Sequence, residues 1–262
     1  MVKDADGRTG TLEWTAPNNG DYTIFYLWSQ ANAQESDPSV KPAYCVNYFD
    51  RRGFEAWSEF FSETVLNDPE LNAKIMAGDV QIFMDSLEFH WNSGFTFWCE
   101  NFAEEFEARK GYDIRPYLIL AKGLSGGPVT WYENADIVRG TYDLADSVRG
   151  QQIRNDLHDV QTELYMENLL QPMEEWLNQY NIDLRAQISY GRTPEISEPI
   201  MAVDFPEAEN LNQRNQVDIY RLWSGGSHLQ NKVLSSETGA TFGMQYAYHR
   251  LEPDRGRMDT GC

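Results

Sequence analysis

Short apolar runs and longer amphipathic stretches take turns along most of this chain. The run Val80-Gln81-Ile82-Phe83-Met84 is rich in β-favouring residues and matches the pattern of a strand buried on both faces. It ends abruptly in two carboxylates, Asp85 and Glu88. Ile182 to Ser189 reads as another strand, ending at Tyr190-Gly191. Met201-Ala202-Val203-Asp204 runs into Pro206-Glu207-Ala208-Glu209, and Lys232-Val233-Leu234-Ser235-Ser236 runs into Glu237, which predicts strands over 200–204 and 232–236.

Between these runs the period changes to that of a helix. Phe54, Trp57, Phe60 and Phe61 share one face and predict a helix over 54–66. A second is predicted over 96–109, stopped by Gly111, with Pro116 opposing its resumption. From about 135 to 180 the chain reads as mostly helical. Ile153, Leu157, Val160 and Leu164 form a stripe there, and Pro172 predicts a kink or break before Met173, Trp176, Leu177 and Tyr180 resume it. A short helical stretch surrounds 217–223. Strand–helix alternation of this kind implies a parallel sheet. The four strands visible are fewer than a closed (β/α)8 barrel requires. The expected fold is therefore α/β, a partial (β/α)8 TIM-like barrel over 43–250. Before it, residues 1–42 read as a short N-terminal β-rich segment and linker. Thr11 to Trp14 alternates, Asn18-Asn19-Gly20-Asp21 signals a turn, and Tyr22 to Trp28 predicts a strand. Residues 251–262 lose all hydrophobic periodicity and are expected to be an unstructured tail.

Composition narrows the function classes. With 41% hydrophobic and 13% aromatic residues among 262, the chain has the means to bury a large core. A formal net charge of −20 speaks against nucleic acid and anionic membrane as partners, because phosphate binding needs a basic footprint. No apolar run approaches membrane-spanning length. The three cysteines, Cys45, Cys99 and Cys262, have no CxxC spacing and indicate neither a zinc site nor a disulfide framework. Abundant acids, Trp and Tyr suit neutral sugars, whose faces stack on aromatic rings and whose hydroxyls bond to carboxylates.

Acids at the C-terminal ends of parallel strands are placed as α/β barrel enzymes place theirs. Two carboxylates flanking a glycosidic bond can hydrolyse it, one protonating the leaving oxygen and the other activating water or attacking directly. Glu88 and Glu237 are that pair by position. Glu207 and Glu209, with Asp85, are candidates to hold a hard cation such as calcium. The acids at 207 and 209 equally suit the start of a helix, where they would complement its dipole. Trp91, three residues past Glu88, is a candidate stacking platform, as are Trp98, Trp131 and Trp223, although core packing explains each Trp as well. Gln187 and Tyr190 are placed to bond substrate hydroxyls. Ser235 and Ser236 lack a GxSxG elbow, and His90, His158, His228 and His249 lack ligand spacing.

The ordered series Met84-Asp85-Ser86-Leu87-Glu88, Arg109-Lys110-Gly111-Tyr112-Asp113-Ile114-Arg115-Pro116, Leu164-Tyr165-Met166-Glu167-Asn168, Ala186-Gln187-Ile188-Ser189-Tyr190-Gly191, Asp204-Phe205-Pro206-Glu207-Ala208-Glu209 and Ser235-Ser236-Glu237-Thr238 resembles glycoside hydrolase family 106, the α-L-rhamnosidases. The resemblance runs over roughly 12–245. It implies an inverting, calcium-assisted hydrolase of terminal α-L-rhamnosides on a (β/α)8 barrel. Glu88 would be its general acid and Glu237 its general base, with Glu207 or Glu209, and Asp85, at the calcium. It also implies a rhamnose-containing glycan or glycoside as partner and an extracellular or periplasmic location, although the polar first residues are no signal peptide. The family's first strands would precede residue 1 and its last would follow about residue 250. The expected barrel is thus open and prone to self-association, and turnover by this stretch alone is in question. Two further readings remain open: a barrel glycosidase for a different sugar, and a non-catalytic carbohydrate-binding remnant.

Overall fold

The structure, a computed structural model, describes residues 2–3, 10–11, 13–29, 31, 35, 43–85, 87, 97–121, 142–189, 194–209 and 217–237. The chain divides into two compact units, Met1–Gln30 and Ala31–Cys262.

In the first unit, β1 (Val2–Lys3) pairs antiparallel with β2 (Gly10–Thr11). The turn read at Asn18 is present: its Oδ1 accepts from the Gly20 amide at 2.7 Å and from the Tyr22 hydroxyl at 2.8 Å. The strand expected over Tyr22 to Trp28 joins no ladder among the described residues. Its aromatic and β-branched composition favours a pleated, half-buried surface, a preference that acts through a neighbouring strand. Ile24 and Trp28 are exposed.

The second unit opens with α1 (Arg51–Phe61), N-capped by Asp50, whose carboxylate accepts from the Arg52 amide. A wide π turn over Ser62–Leu66 leads to α2 (Pro69–Ala77). Asp68 caps α2 and Pro69 starts it. The strand β3 (Val80–Met84) follows. Then come α3 (Phe102–Lys110), a 3-10 turn over Arg115–Ala121, and α4 (Ser147–Tyr165). Gly111 ends α3 at φ +78°, as its position in the sequence predicts. Instead of a plain kink, Pro172 is accommodated by a second π turn, Met166–Leu170, before α5 (Gln171–Asn178). The last elements are β4 (Ile182–Ala186), a 3-10 turn over Pro199–Ala202, β5 (Phe205–Glu209), α6 (Val217–Leu229) and β6 (Ser235–Glu237).

The four later strands form one curled parallel sheet in the order β3-β4-β5-β6, compatible with part of a barrel. Asn181, at φ 57°, fixes its first register. The Asn181 side-chain amide donates to the Gly78 carbonyl at 2.7 Å and the Met76 carbonyl at 3.3 Å, so Ile182 sits opposite Val80. On β4 the period of two divides the strand cleanly. Ile182, Leu184 and Ala186 are buried against the helices, while Asp183 and Arg185 face the inner side of the half-barrel. The outer layer is a continuous core that includes Phe102, Phe106, Val160, Leu164, Leu170, Leu177 and Trp223.

Further expectations about the sheet need correction. β3 is not buried on both faces: Gln81 and Phe83 are exposed, in register with Asp183 and Arg185 on the inner side of the half-barrel. The strand expected over 200–204 is displaced. Pro199 starts a 3-10 turn there, and the ladder is made by Phe205–Glu209 instead. The acids at 207 and 209 therefore belong to a strand and do not begin a helix. Pro206 is tolerated in an inner strand because β5 changes partner beside it. Residues 205–206 pair with β4, and 207–209 pair with β6.

Candidate active site

The C-terminal halves of β4, β5 and β6 bring together side chains far apart in sequence. In β5 the alternation buries Pro206 and Ala208 toward the helices and turns Glu207 inward. Although only 3% exposed, Glu207 is a carboxylate with four donors. Arg185 on β4 reaches its Oε2 with Nε at 2.7 Å and again with Nη2. Ser235 on β6 donates to the same oxygen at 2.8 Å, and Gln187 donates from Nε2 to Oε1 at 3.0 Å. Burial pushes the Glu207 pKa up. The hydrogen bonds from Arg185, Gln187 and Ser235, with the guanidinium's charge, outweigh it and hold the group ionised below the ordinary carboxylate value.

The same Gln187 Nε2 also donates to Glu237 Oε2 at 2.7 Å. Glu237 lies opposite Glu209 at the end of β6 and is exposed. One carboxamide thus bridges a buried, cation-paired carboxylate and an accessible one. The backbone that carries it is pinned on two sides. The Gln187 amide continues the β3–β4 ladder to the Met84 carbonyl at 3.0 Å. The buried Tyr165 hydroxyl donates to the Ile188 carbonyl at 3.2 Å. Arg185 also lies 5.4 Å over the Phe83 ring on the neighbouring strand.

Of the residues singled out from the sequence, Gln187, Glu207 and Glu237 meet here. Asp85 is exposed just past the end of β3. Glu209 belongs to β5, but its side chain lies outside the described residues, as do Glu88, Trp91 and Tyr190. Trp223 is fully buried beside Tyr220 at 5.5 Å between ring centroids, which makes it a core residue and not a sugar platform. Burial holds the His158 imidazole below its ordinary pKa, consistent with packing. Arg185 is the functional residue that sequence reasoning missed. Its signal was the inward triplet Asp183, Arg185, Gln187 at period two.

Calcium does not fit at Glu207 in this arrangement. Both of its oxygens are engaged, and a cation there would have to displace the Arg185 guanidinium. Among the described residues no group of three or more His, Cys, Asp or Glu could hold a metal ion.

The parallel half-barrel agrees with what comparison finds. A solved rhamnosidase from Novosphingobium sp. PP1Y is similar over 78% of this chain, at 16% identity and a TM-score of 0.52. At that identity the likeness speaks for the fold alone, and the chain spans 18% of that protein's length. No curated protein matches the sequence. Among the described residues no helix is long and apolar enough to cross a membrane. The sequence profile of the α-L-rhamnosidases matches residues 3–249, nearly the whole chain, and on that match the chain belongs to glycoside hydrolase family 106, the α-L-rhamnosidases.

Proposed function

We propose that this chain carries the catalytic face of an inverting α-L-rhamnosidase acting on terminal rhamnosides of glycans or glycosides. The observation that carries the reading is the Glu207–Gln187–Glu237 bridge at the C-terminal edge of the sheet, inside a rhamnosidase-family sequence. Glu237 is the general base. It is accessible to water and held by a neutral donor, so it is free to accept a proton. It takes a proton from a water molecule whose oxygen bonds to the anomeric carbon. On the opposite side of the sugar, Glu88 gives its proton to the glycosidic oxygen as the bond to the anomeric carbon breaks. The Glu88 role rests on the family resemblance. Trp91 and Tyr190 are proposed sugar contacts from their places past Glu88 and at the end of β4, and an extracellular or periplasmic location is proposed on the family resemblance.

The calcium implied by the family is proposed to use Asp85 and Glu209 and not Glu207.

The leaving group separates the two roles. Glu88→Gln and Glu237→Gln are assayed in the longest protein that carries this chain, on an alkyl and an activated aryl α-L-rhamnoside. Glu88→Gln lowers turnover of the alkyl substrate far more, because the aryl leaving group needs little protonation. Glu237→Gln damages both alike, by about a hundredfold or more. Binding of rhamnosides without turnover by the parent protein, or full turnover by Glu237→Gln, overturns the proposal.

A further inference from the structure

We propose that Gln187 is a positioning residue for the general base: its carboxamide, clamped by the Arg185–Glu207 pair, holds the Glu237 carboxylate in the orientation that takes a proton from water. The inference rests on the reading of Glu237 given above.

The carboxamide has two N–H donors, and both are spent. One goes to Glu207 Oε1 at 3.0 Å and the other to Glu237 Oε2 at 2.7 Å. The amide cannot be turned over, because that would set its carbonyl oxygen against two carboxylates. Gln187 is 2% exposed, and its Oε1 is a buried acceptor with no partner. No N–H of this side chain is left for a substrate hydroxyl.

The clamp is rigid at one end and working at the other. Glu207 is fixed by Arg185 and Ser235 on Oε2, so the first amide bond anchors the second. Gln187 itself is fixed by its backbone bond to Met84. Glu237 stands at the exposed end of a strand three residues long. Among the described residues, the Gln187 amide is the one hydrogen-bond donor to its carboxylate. A long acidic side chain at such a place has several rotamers, and general-base catalysis needs one of them. The neutral amide orients Glu237 without placing a charge beside it.

The test uses the longest protein that carries this chain and an activated aryl rhamnoside. Gln187→Leu keeps the volume and removes both donors. The expected result is a fall in kcat of about 10–100-fold with KM within about threefold of the parent, since the lost contact serves the transition state. In a Glu237→Gln background the same change should cost less than about twofold, because its route to the reaction is already gone. A second variant guards against misfolding. Gln187→Glu has a donor only when protonated, so its kcat–pH curve should lie at least about one pH unit to the acid side of the parent's. A rise in KM at unchanged kcat, full additivity with Glu237→Gln, or an unmoved pH curve for a folded Gln187→Glu overturns the inference. If Glu237→Gln alone leaves turnover intact, it is the base assignment that fails, and the two failures are distinguishable.

Discussion

Replacing Arg185 by Met should cost stability mainly by stranding a buried charge. Glu207 is nearly inaccessible, with its side chain 4% exposed, whereas Arg185 is 40% exposed. Removing one partner of a buried ion pair costs about 3–5 kcal/mol. Two features reduce that figure here. The guanidinium is partly solvated, and Gln187 and Ser235 remain as donors to Glu207. A loss of about 2–3 kcal/mol is expected, which lowers the thermal midpoint by about 5–10 °C in a chain of this size. The pH dependence gives the mechanism away. Glu207 titrates below its ordinary value of 4.5 when folded, so its contribution is present above that value and is lost as pH falls through the folded pKa. The gap between parent and Arg185→Met, followed by circular dichroism melts from pH 3 to 7, should therefore be full near neutrality and close in acid. Arg185→Met/Glu207→Gln should regain part of the loss at pH 7. A gap that is independent of pH, or a double variant no more stable than Arg185→Met, would refute the stranded-charge argument.

Other consequences follow from the same contacts. Lys232→Met removes a donor to the Met201 carbonyl at 2.8 Å and the Val203 carbonyl at 2.6 Å, and should cost about 2–3 kcal/mol in urea unfolding; a loss below about 0.5 kcal/mol contradicts it. Arg109 on α3 binds Glu163 at 2.8 Å and Glu167 at 2.6 Å, and its hydrogen bond, countering burial, lowers the Glu167 pKa. Arg109→Met should cost about 1 kcal/mol above pH 5 and progressively less in acid, since a lowered carboxylate pKa stabilises only where the group is ionised; an equal loss at pH 3 and 7 is the contrary result. Excess calcium should raise the melting midpoint over chelator in Glu207→Gln as well as in the parent, and identical midpoints in the parent would remove calcium from the proposal. The exposed Phe83 on β3, the edge strand among the described residues, predicts concentration-dependent self-association by light scattering, against which a monodisperse monomer at all concentrations would count.

Much of the scaffold was legible because it rests on local signals. Val80–Met84 and Ile182–Ala186 are strands because β-favouring runs there end at turn or polar residues, and Gly111 stops α3 through its left-handed backbone. The misreadings came where a local signal lost to context. Ile200-Met201-Ala202-Val203 is apolar, but Pro199 and the packing of Ile200 and Val203 made a turn of it. Phe205–Glu209 carries two acids and a proline, yet it is a strand in which Glu207 turns inward and meets Arg185. The helix α2 was missed because few of its side chains are buried, although Asp68-Pro69 marked its start. Gln187, Glu207 and Glu237 were legible as chemistry from their places after apolar runs. Their connection was not, because it spans 20 and 50 residues of sequence and is made by the sheet register.

The stereochemistry of the first-formed product tests the proposed reaction most directly. Proton NMR of an α-L-rhamnoside, recorded within seconds of adding enzyme, resolves the two rhamnose anomers before they equilibrate. With Glu237 activating water on the face opposite the leaving group, β-L-rhamnose forms first and the α anomer grows in later at the rate of mutarotation. The α anomer appearing first would mean a covalent, retaining route and would contradict the general-base role of Glu237.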